Sequence, residues 1–208
     1  MNYIGLLIIG FIVGLSGAML PGPMLAFAIS SVLQGKAKDV ILIVLGHMFI
    51  EAVMVVLILL GLKHFIGSKI VFTILSMLGA VVLIVIGLHM IFRANQIRLS
   101  IDKNSNFGSG LILGGMFFTA FNPTFPTWWV SVGASLLSRA LLLGLLGVVI
   151  LVTGHWLADL AWFGFVGFAV GKGKLCSDDK RYQLILRVLG IFLIILGIWF
   201  IWQVSQSK

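Results

Sequence analysis

Charge is scarce in this chain. Asp, Glu, Lys and Arg make up 10% of its 208 residues, against roughly 25% in a soluble domain. Hydrophobic residues make up 61% and the mean hydropathy is +1.20, which excludes an ordinary soluble globule and reads as an integral membrane protein. Acid is scarcer still, with 6 Asp and Glu against 14 Lys and Arg. The net charge of +8 sits in short connectors between apolar runs, the pattern of topology signals. No basic recognition helix accompanies it, so nucleic acid is not expected as a partner. Cysteine occurs once, at Cys176 in a polar connector. That excludes an intramolecular disulfide, a thiol-pair redox relay and a Cys-rich metal site. There is no glycine-rich phosphate loop carrying Lys and Ser/Thr, so ATP-driven work by this chain alone is not indicated. Neither a His-Glu-x-x-His zinc pattern nor a serine elbow occurs, and the chain is read as a non-enzyme without a cofactor. Met1-Asn2-Tyr3 lacks a basic leader region and the apolar run continues past any plausible cleavage point, so the first run is expected to be retained.

What is present is length of apolar sequence. Six runs stand out, about Tyr3–Leu33, Val40–Leu62, Ile70–Phe92, Gly110–Leu137, Leu141–Val170 and Leu184–Trp202. About 20 apolar residues cross a bilayer core, so each run suffices. The first and fourth exceed one straight span, and both hold proline clusters: Pro21-Gly22-Pro23, and Asn122-Pro123 with Pro126. Proline removes a backbone donor and breaks or kinks a helix. Freed backbone at membrane depth is tolerated only inside protein or facing a cavity, so both breaks are expected to point inward.

The runs also repeat. Gly46-His47 with Glu51 returns as Gly154-His155 with Asp159, each following a broken run. Leu78-Gly79 with Gly87 matches Leu189-Gly190 with Gly197, at spacings of eight and seven residues; glycines so placed favour close helix approach. The predicted architecture is a single all-α transmembrane domain over 1–208, with six transmembrane helices in two three-helix repeats, about 1–100 and 107–208, joined by the polar stretch Arg93–Asn106. Three spans per half force the second half to enter the membrane in the opposite sense, giving an inverted repeat with broken first and fourth helices. With the N-terminus outside, the inner connectors carry ten Lys and Arg (Lys36, Lys38, Arg93, Arg98, Lys103, Lys172, Lys174, Lys180, Arg181 and Arg187) against four outside (Lys63, Lys69, Arg139 and Lys208). The positive-inside rule then puts both termini outside.

Ionisable groups inside apolar runs are costly and mark function by default. Residues i and i+4 share a helix face, so His47 and Glu51 line one stripe, and His155 and Asp159 the matching one. Desolvation favours the neutral form of a carboxyl group and histidine titrates near neutrality, so such pairs suit proton handling as well as binding. The bland alternative has each His bonding its own carboxylate; repetition in both halves favours function. The breaks add a second ingredient, because a new helix N-terminus carries partial positive charge suited to a carboxylate. Pro21, Gly22, Pro23, Asn122, Pro123 and Thr124 are therefore candidate substrate contacts together with Glu51 and Asp159. Ser16, Thr119 and Thr127 could add hydroxyls. Trp128 and Trp129 read as ordinary packing, Trp199 and Trp202 as an interfacial belt, and His64 and His89 as solvated or interfacial.

Pro21-Gly22-Pro23 in the first run, Gly46 with an acid five positions on, Asn122-Pro123 followed by Trp128-Trp129, and Gly154-His155 with Asp159 together resemble the LysE-type translocators, the lysine and homoserine/threonine exporter group. The likeness spans essentially the whole chain. It departs at Thr124, where many members carry Lys, and at Ile50-Glu51, where many carry Gly-Asp. The resemblance implies secondary export of amino acids or related small metabolites across the plasma membrane, coupled to protons or another ion, with association into a homo-oligomer left open. His47, Glu51, His155 and Asp159 also form a mixed nitrogen and oxygen set suited to transition metals. A divalent-metal exporter is thus the alternative, and an intramembrane metalloenzyme on the same four residues a more remote one.

Overall fold

The computed structural model describes residues 2–34, 37–66, 68–94, 108–172 and 179–206. Lys36, Arg98, Lys103, Lys174, Cys176 and Lys208, used above for topology and redox arguments, lie outside the described residues, as does most of the Arg93–Asn106 connector. Every described element is helical. Helix α1 (Tyr3–Ala18) opens on Asn2, whose side-chain oxygen accepts from Gly5 N–H at 2.8 Å, satisfying one of the orphan donors of a helix start. It stops just short of Pro21-Gly22-Pro23. Helix α2 (Pro23–Gln34) begins on Pro23, the first helical position, where a missing N–H costs nothing. The two helices are bent by 79° at this break.

Helix α3 (Asp39–Leu59), the short α4 (Lys63–Ile66) and α5 (Lys69–Arg93) complete the first half. Helix α6 (Gly108–Ala120) runs into the second break. After it the chain forms α7 (Thr124–Trp128), a π-helical turn (Trp129–Gly133) and α8 (Ala134–Ala140). Three residues of 3₁₀ helix lead to Gly144 at φ 72°, a left-handed backbone that only glycine adopts without penalty. From there α9 (Gly144–Lys172) and α10 (Asp179–Gln206) finish the fold.

Four helical stretches are long and apolar enough to cross a membrane, and five if the bent pair α1–α2 counts as one span. One of the four, Thr124–Lys172, is 49 residues long, which as a straight helix would reach about 73 Å against a hydrocarbon core of about 30 Å; Gly144 divides it. Gly110–Ala120 is apolar but short.

In a bilayer, lipid is as apolar as leucine, so helices associate through van der Waals packing of small residues. Three pairs form here on that basis: α1 with α9, α3 with α6, and α5 with α10. The first two are alike in detail. A methyl group added at Gly10 would collide with the Leu151 carbonyl, and one at Gly154 with the Leu7 carbonyl; one at Gly46 would meet the Ile112 carbonyl, and one at Gly115 the Ile43 carbonyl. In the third pair, a methyl carbon on Gly87 would lie 2.6 Å from the Gly190 carbonyl oxygen, and one on Gly190 would lie 2.7 Å from that of Gly87. On α1, Leu6, Gly10 and Gly14 are buried while Ile4, Ile8 and Ile12 are exposed, two stripes of i, i+4 spacing that give one face to protein and one to the apolar exterior.

Candidate functional site

The site lies where α3 meets α9. Both helices turn their His and carboxylate inward, and Glu51 and Asp159 are each 1% exposed. The bland pairing, each His on its own carboxylate, is not the main one. The shortest contact crosses between the halves: His155 Nε2 lies 2.8 Å from Glu51 Oε1, against 3.3 Å for His47 Nε2 on its own helix neighbour. Asp159 Oδ2 stands 3.6 Å from His155 Nε2 and 3.8 Å from His47 Nε2, beyond hydrogen-bond reach. The two acidic stripes predicted from the sequence therefore face each other and interlock.

The supporting residues fix the geometry. The Thr119 hydroxyl donates to the Gly115 carbonyl one turn back at 2.7 Å. Its single proton thus committed, its oxygen accepts from His47 Nδ1–H at 2.8 Å. That leaves Nε2 of His47 directed at the carboxylates. The Trp129 indole N–H donates to Glu51 Oε1 at 3.3 Å, and both Trp128 and Trp129 rings lie 5.1 Å from the His155 ring. Gly133 makes room for the Trp129 ring within the π-helical turn, since a methyl carbon there would collide with Cε3 of that ring. Gly14 does the same for His155, whose Nδ1 would lie 2.7 Å from an added methyl.

Between these groups is a cavity of about 100 Å³, the volume of about three waters at ~30 Å³ each. Of the predicted contacts, Pro21, Gly22, Asn122 and Thr124 line it together with His47, Glu51, His155 and Asp159. Pro23 and Pro123 do not; they start the helices beyond the breaks. The two breaks abut, with Asn122 Nδ2 facing Gly22. Of the candidate hydroxyls, Thr119 reaches the cavity, while Ser16 and Thr127 bond carbonyls of their own helices, Val13 and Pro123. His64 and His89 are exposed and take no part.

Trp129 and Thr119 are what sequence reasoning undervalued. Trp129 was expected as packing, and it does pack, but its N–H is also a donor to a buried carboxylate. Nothing in the local sequence says which way an indole turns after a helix break. The donors that the breaks were expected to offer are largely engaged locally. Asn122 Oδ1 accepts from Thr124 N–H at 3.2 Å and from its hydroxyl at 2.8 Å, the Asn122 carbonyl accepts from Phe125 N–H at 3.0 Å, and the Gly22 carbonyl accepts from Leu25 N–H at 3.1 Å.

One ligand atom from each of His47, Glu51 and Asp159 lies within 4.8 Å of the others, a set that could hold a metal ion. Glu51 Oε2 and Asp159 Oδ2 are buried without a hydrogen-bond partner. In comparisons with known proteins, the family model for LysE type translocators matches residues 15–204. No curated protein and no solved structure matches the chain.

Proposed function

Because the chain belongs to the LysE type translocator family, we propose that it is a secondary exporter of amino acids or related small metabolites, coupled to protons through the His47, Glu51, His155 and Asp159 cluster. Family membership makes it a multi-pass membrane transporter of small molecules; the coupling and the roles of residues are the proposal. One observation carries it. Four ionisable side chains from the two halves, His47 half-buried and Glu51, His155 and Asp159 buried, converge on a small cavity bounded by two helix breaks. Such groups are expensive at membrane depth and persist where they serve a pathway or a relay.

The repeat organisation supports the same reading. Gly10, Gly154 and their carbonyl partners Leu151 and Leu7 are matched, one for one, by Gly115, Gly46, Ile43 and Ile112. Each first helix packs on the second helix of the other half, as two inverted repeats of about 1–100 and 107–208 would require. On this reading α6 to α8 make the fourth of six spans and both termini lie outside the plasma membrane. Cargo binds between the halves, Glu51 and Asp159 hold its positive group or take protons, His47 and His155 set their charge, and the halves rock to alternate access.

The test is substrate-driven proton movement in proteoliposomes, with amino acids and divalent metals in separate panels. An amino-acid signal that disappears in Glu51→Gln and Asp159→Asn, both still inserted and monodisperse, is expected. Normal efflux in both variants would overturn the relay. A metal-only signal would favour the second reading, a divalent-metal exporter, which the spacing of His47, Glu51 and Asp159 supports.

A further inference from the structure

The two helix breaks that bound the cavity are furnished differently. At the second, the Asn122 side chain accepts from the Thr124 N–H at 3.2 Å and its carbonyl from the Phe125 N–H at 3.0 Å, so the first donors of α7 are spent within the chain. At the first, Gly22 stands where Ser, Asp or Asn ordinarily caps a helix, and it has no side chain to do so. Its carbonyl accepts from the Leu25 N–H at 3.1 Å, but the N–H groups of Gly22 and Met24 have no partner among the described residues. Both residues line the cavity. Asn122 lines it too. Thr124 engages its Oδ1, which leaves the amide nitrogen as the open end, and Nδ2 would stand 3.5 Å from a methyl carbon added at Gly22. Two backbone donors at the positive end of a 12-residue helix and one amide donor therefore border a single gap. The same cavity carries the opposite chemistry on its acidic wall, where Glu51 Oε2 and Asp159 Oδ2 are buried without a hydrogen-bond partner.

From this we infer that the cargo's carboxylate docks at the first break, on the N–H groups of Gly22 and Met24 with the Asn122 amide, while its ammonium group turns to the free oxygens of Glu51 and Asp159. The inference rests on the transporter reading above and assigns the two poles of its amino-acid cargo. The unmet donors at α2 and the unmet acceptors on α3 and α9 each gain a charge-assisted hydrogen bond, and the two histidines keep their places on the carboxylates. The second break has a structural part, contributing only Asn122 from its edge. The assignment also limits the side chain. No Lys or Arg lines the cavity, so one carboxylate uses up the backbone and amide donors. A second carboxylate would meet the apolar rings of Phe125, Trp128 and Phe163 or the two acids. The cargo is therefore an amino acid whose side chain is not acidic.

The experiment is isothermal titration calorimetry on the purified full chain in detergent, with alanine, serine, threonine, leucine, lysine and aspartate as probes. The tightest binder is then compared with its own carboxamide and its own deaminated acid. Aspartate, the carboxamide and the deaminated acid should each bind at least tenfold more weakly than that amino acid. Asn122→Asp keeps an acceptor for Thr124 but sets a negative charge at the mouth of α2; it should weaken the amino acid at least tenfold and leave the carboxamide unchanged or tighter. Gly22→Ala, whose methyl meets Asn122 Nδ2 only at ordinary contact distance, fills the gap and should also weaken the amino acid. The wild-type panel stands without either variant, so poor folding of one does not spoil the test. A carboxamide or an aspartate that binds as tightly as the best amino acid would overturn the inference. So would an Asn122→Asp variant that weakens amino acid and carboxamide alike, the mark of a merely structural asparagine. In the proteoliposome assay, proton movement driven equally by amino acid and carboxamide would sink the inference and leave the transporter reading intact; silence with every amino acid would remove both.

Discussion

Glu51 and Asp159 occupy matching places in the two halves, four residues after matching histidines, yet their surroundings differ. Glu51 Oε1 has three nitrogen neighbours, His155 at 2.8 Å and His47 and Trp129 at 3.3 Å each. Asp159 Oδ2 has no hydrogen-bond partner, the same two rings standing 3.6 and 3.8 Å away. Both are equally buried. Burial alone therefore does not make the two acids equivalent. Each acid keeps one buried oxygen without a partner, Glu51 Oε2 and Asp159 Oδ2; the difference is that the other oxygen of Glu51 is built into a network shared by both histidines and Trp129.

The largest expected effect tests that difference. Asp159→Asn should abolish substrate-driven transport in proteoliposomes while leaving the melting temperature unchanged or raised, because it keeps the shape of a buried carboxyl group whose Oδ2 has no hydrogen-bond partner and removes its acidity. Glu51→Gln should also abolish transport, but with a loss of stability of about 1.5–3 kcal/mol, the range for hydrogen bonds to a charged group. If thermal unfolding shows the two variants equally destabilised, the asymmetry is not real. A smaller effect is expected at the shared donor. Trp129→Phe keeps a ring beside His155 and Gly133 but deletes the N–H, and should cost about 1–2 kcal/mol; a double-mutant cycle should couple it to Glu51→Gln and leave it additive with Asp159→Asn. Smallest is Thr119→Val, which removes the acceptor for His47 Nδ1 and should cost about 1 kcal/mol, with Thr119→Ser restoring most of it in the same melting assay.

Much of this site was legible beforehand because its signals are local. His47 with Glu51 and His155 with Asp159 share a face by helical periodicity alone, and charge inside an apolar run attracts notice whatever the fold. The breaks were legible for the same reason, since proline dictates its own backbone. What could not be read was partnership. The i,i+4 spacing suggests His47 on Glu51, whereas the shorter bond comes from His155, 104 residues away in sequence. The indole of Trp129 and the hydroxyl of Thr119 depend on rotamers that neighbouring helices select. Asn122 was expected to serve a ligand and does line the cavity; that its side-chain oxygen also accepts from the Thr124 N–H and hydroxyl, a local bond that competes with any ligand for the same atom, was not legible.

The sequence by itself determined that this chain is helical and apolar, where its helices break, and which four ionisable groups lie inside apolar runs, because each follows from short-range backbone geometry and the cost of charge in lipid. Tertiary structure alone decided that Gly10 and Gly154 bring α1 against α9, and Gly46 and Gly115 bring α3 against α6. It also decided that the two acids would interlock yet differ in their partners. Those outcomes depend on which backbones approach closely enough to touch, and helix packing in an apolar medium is governed by that contact rather than by hydrophobicity.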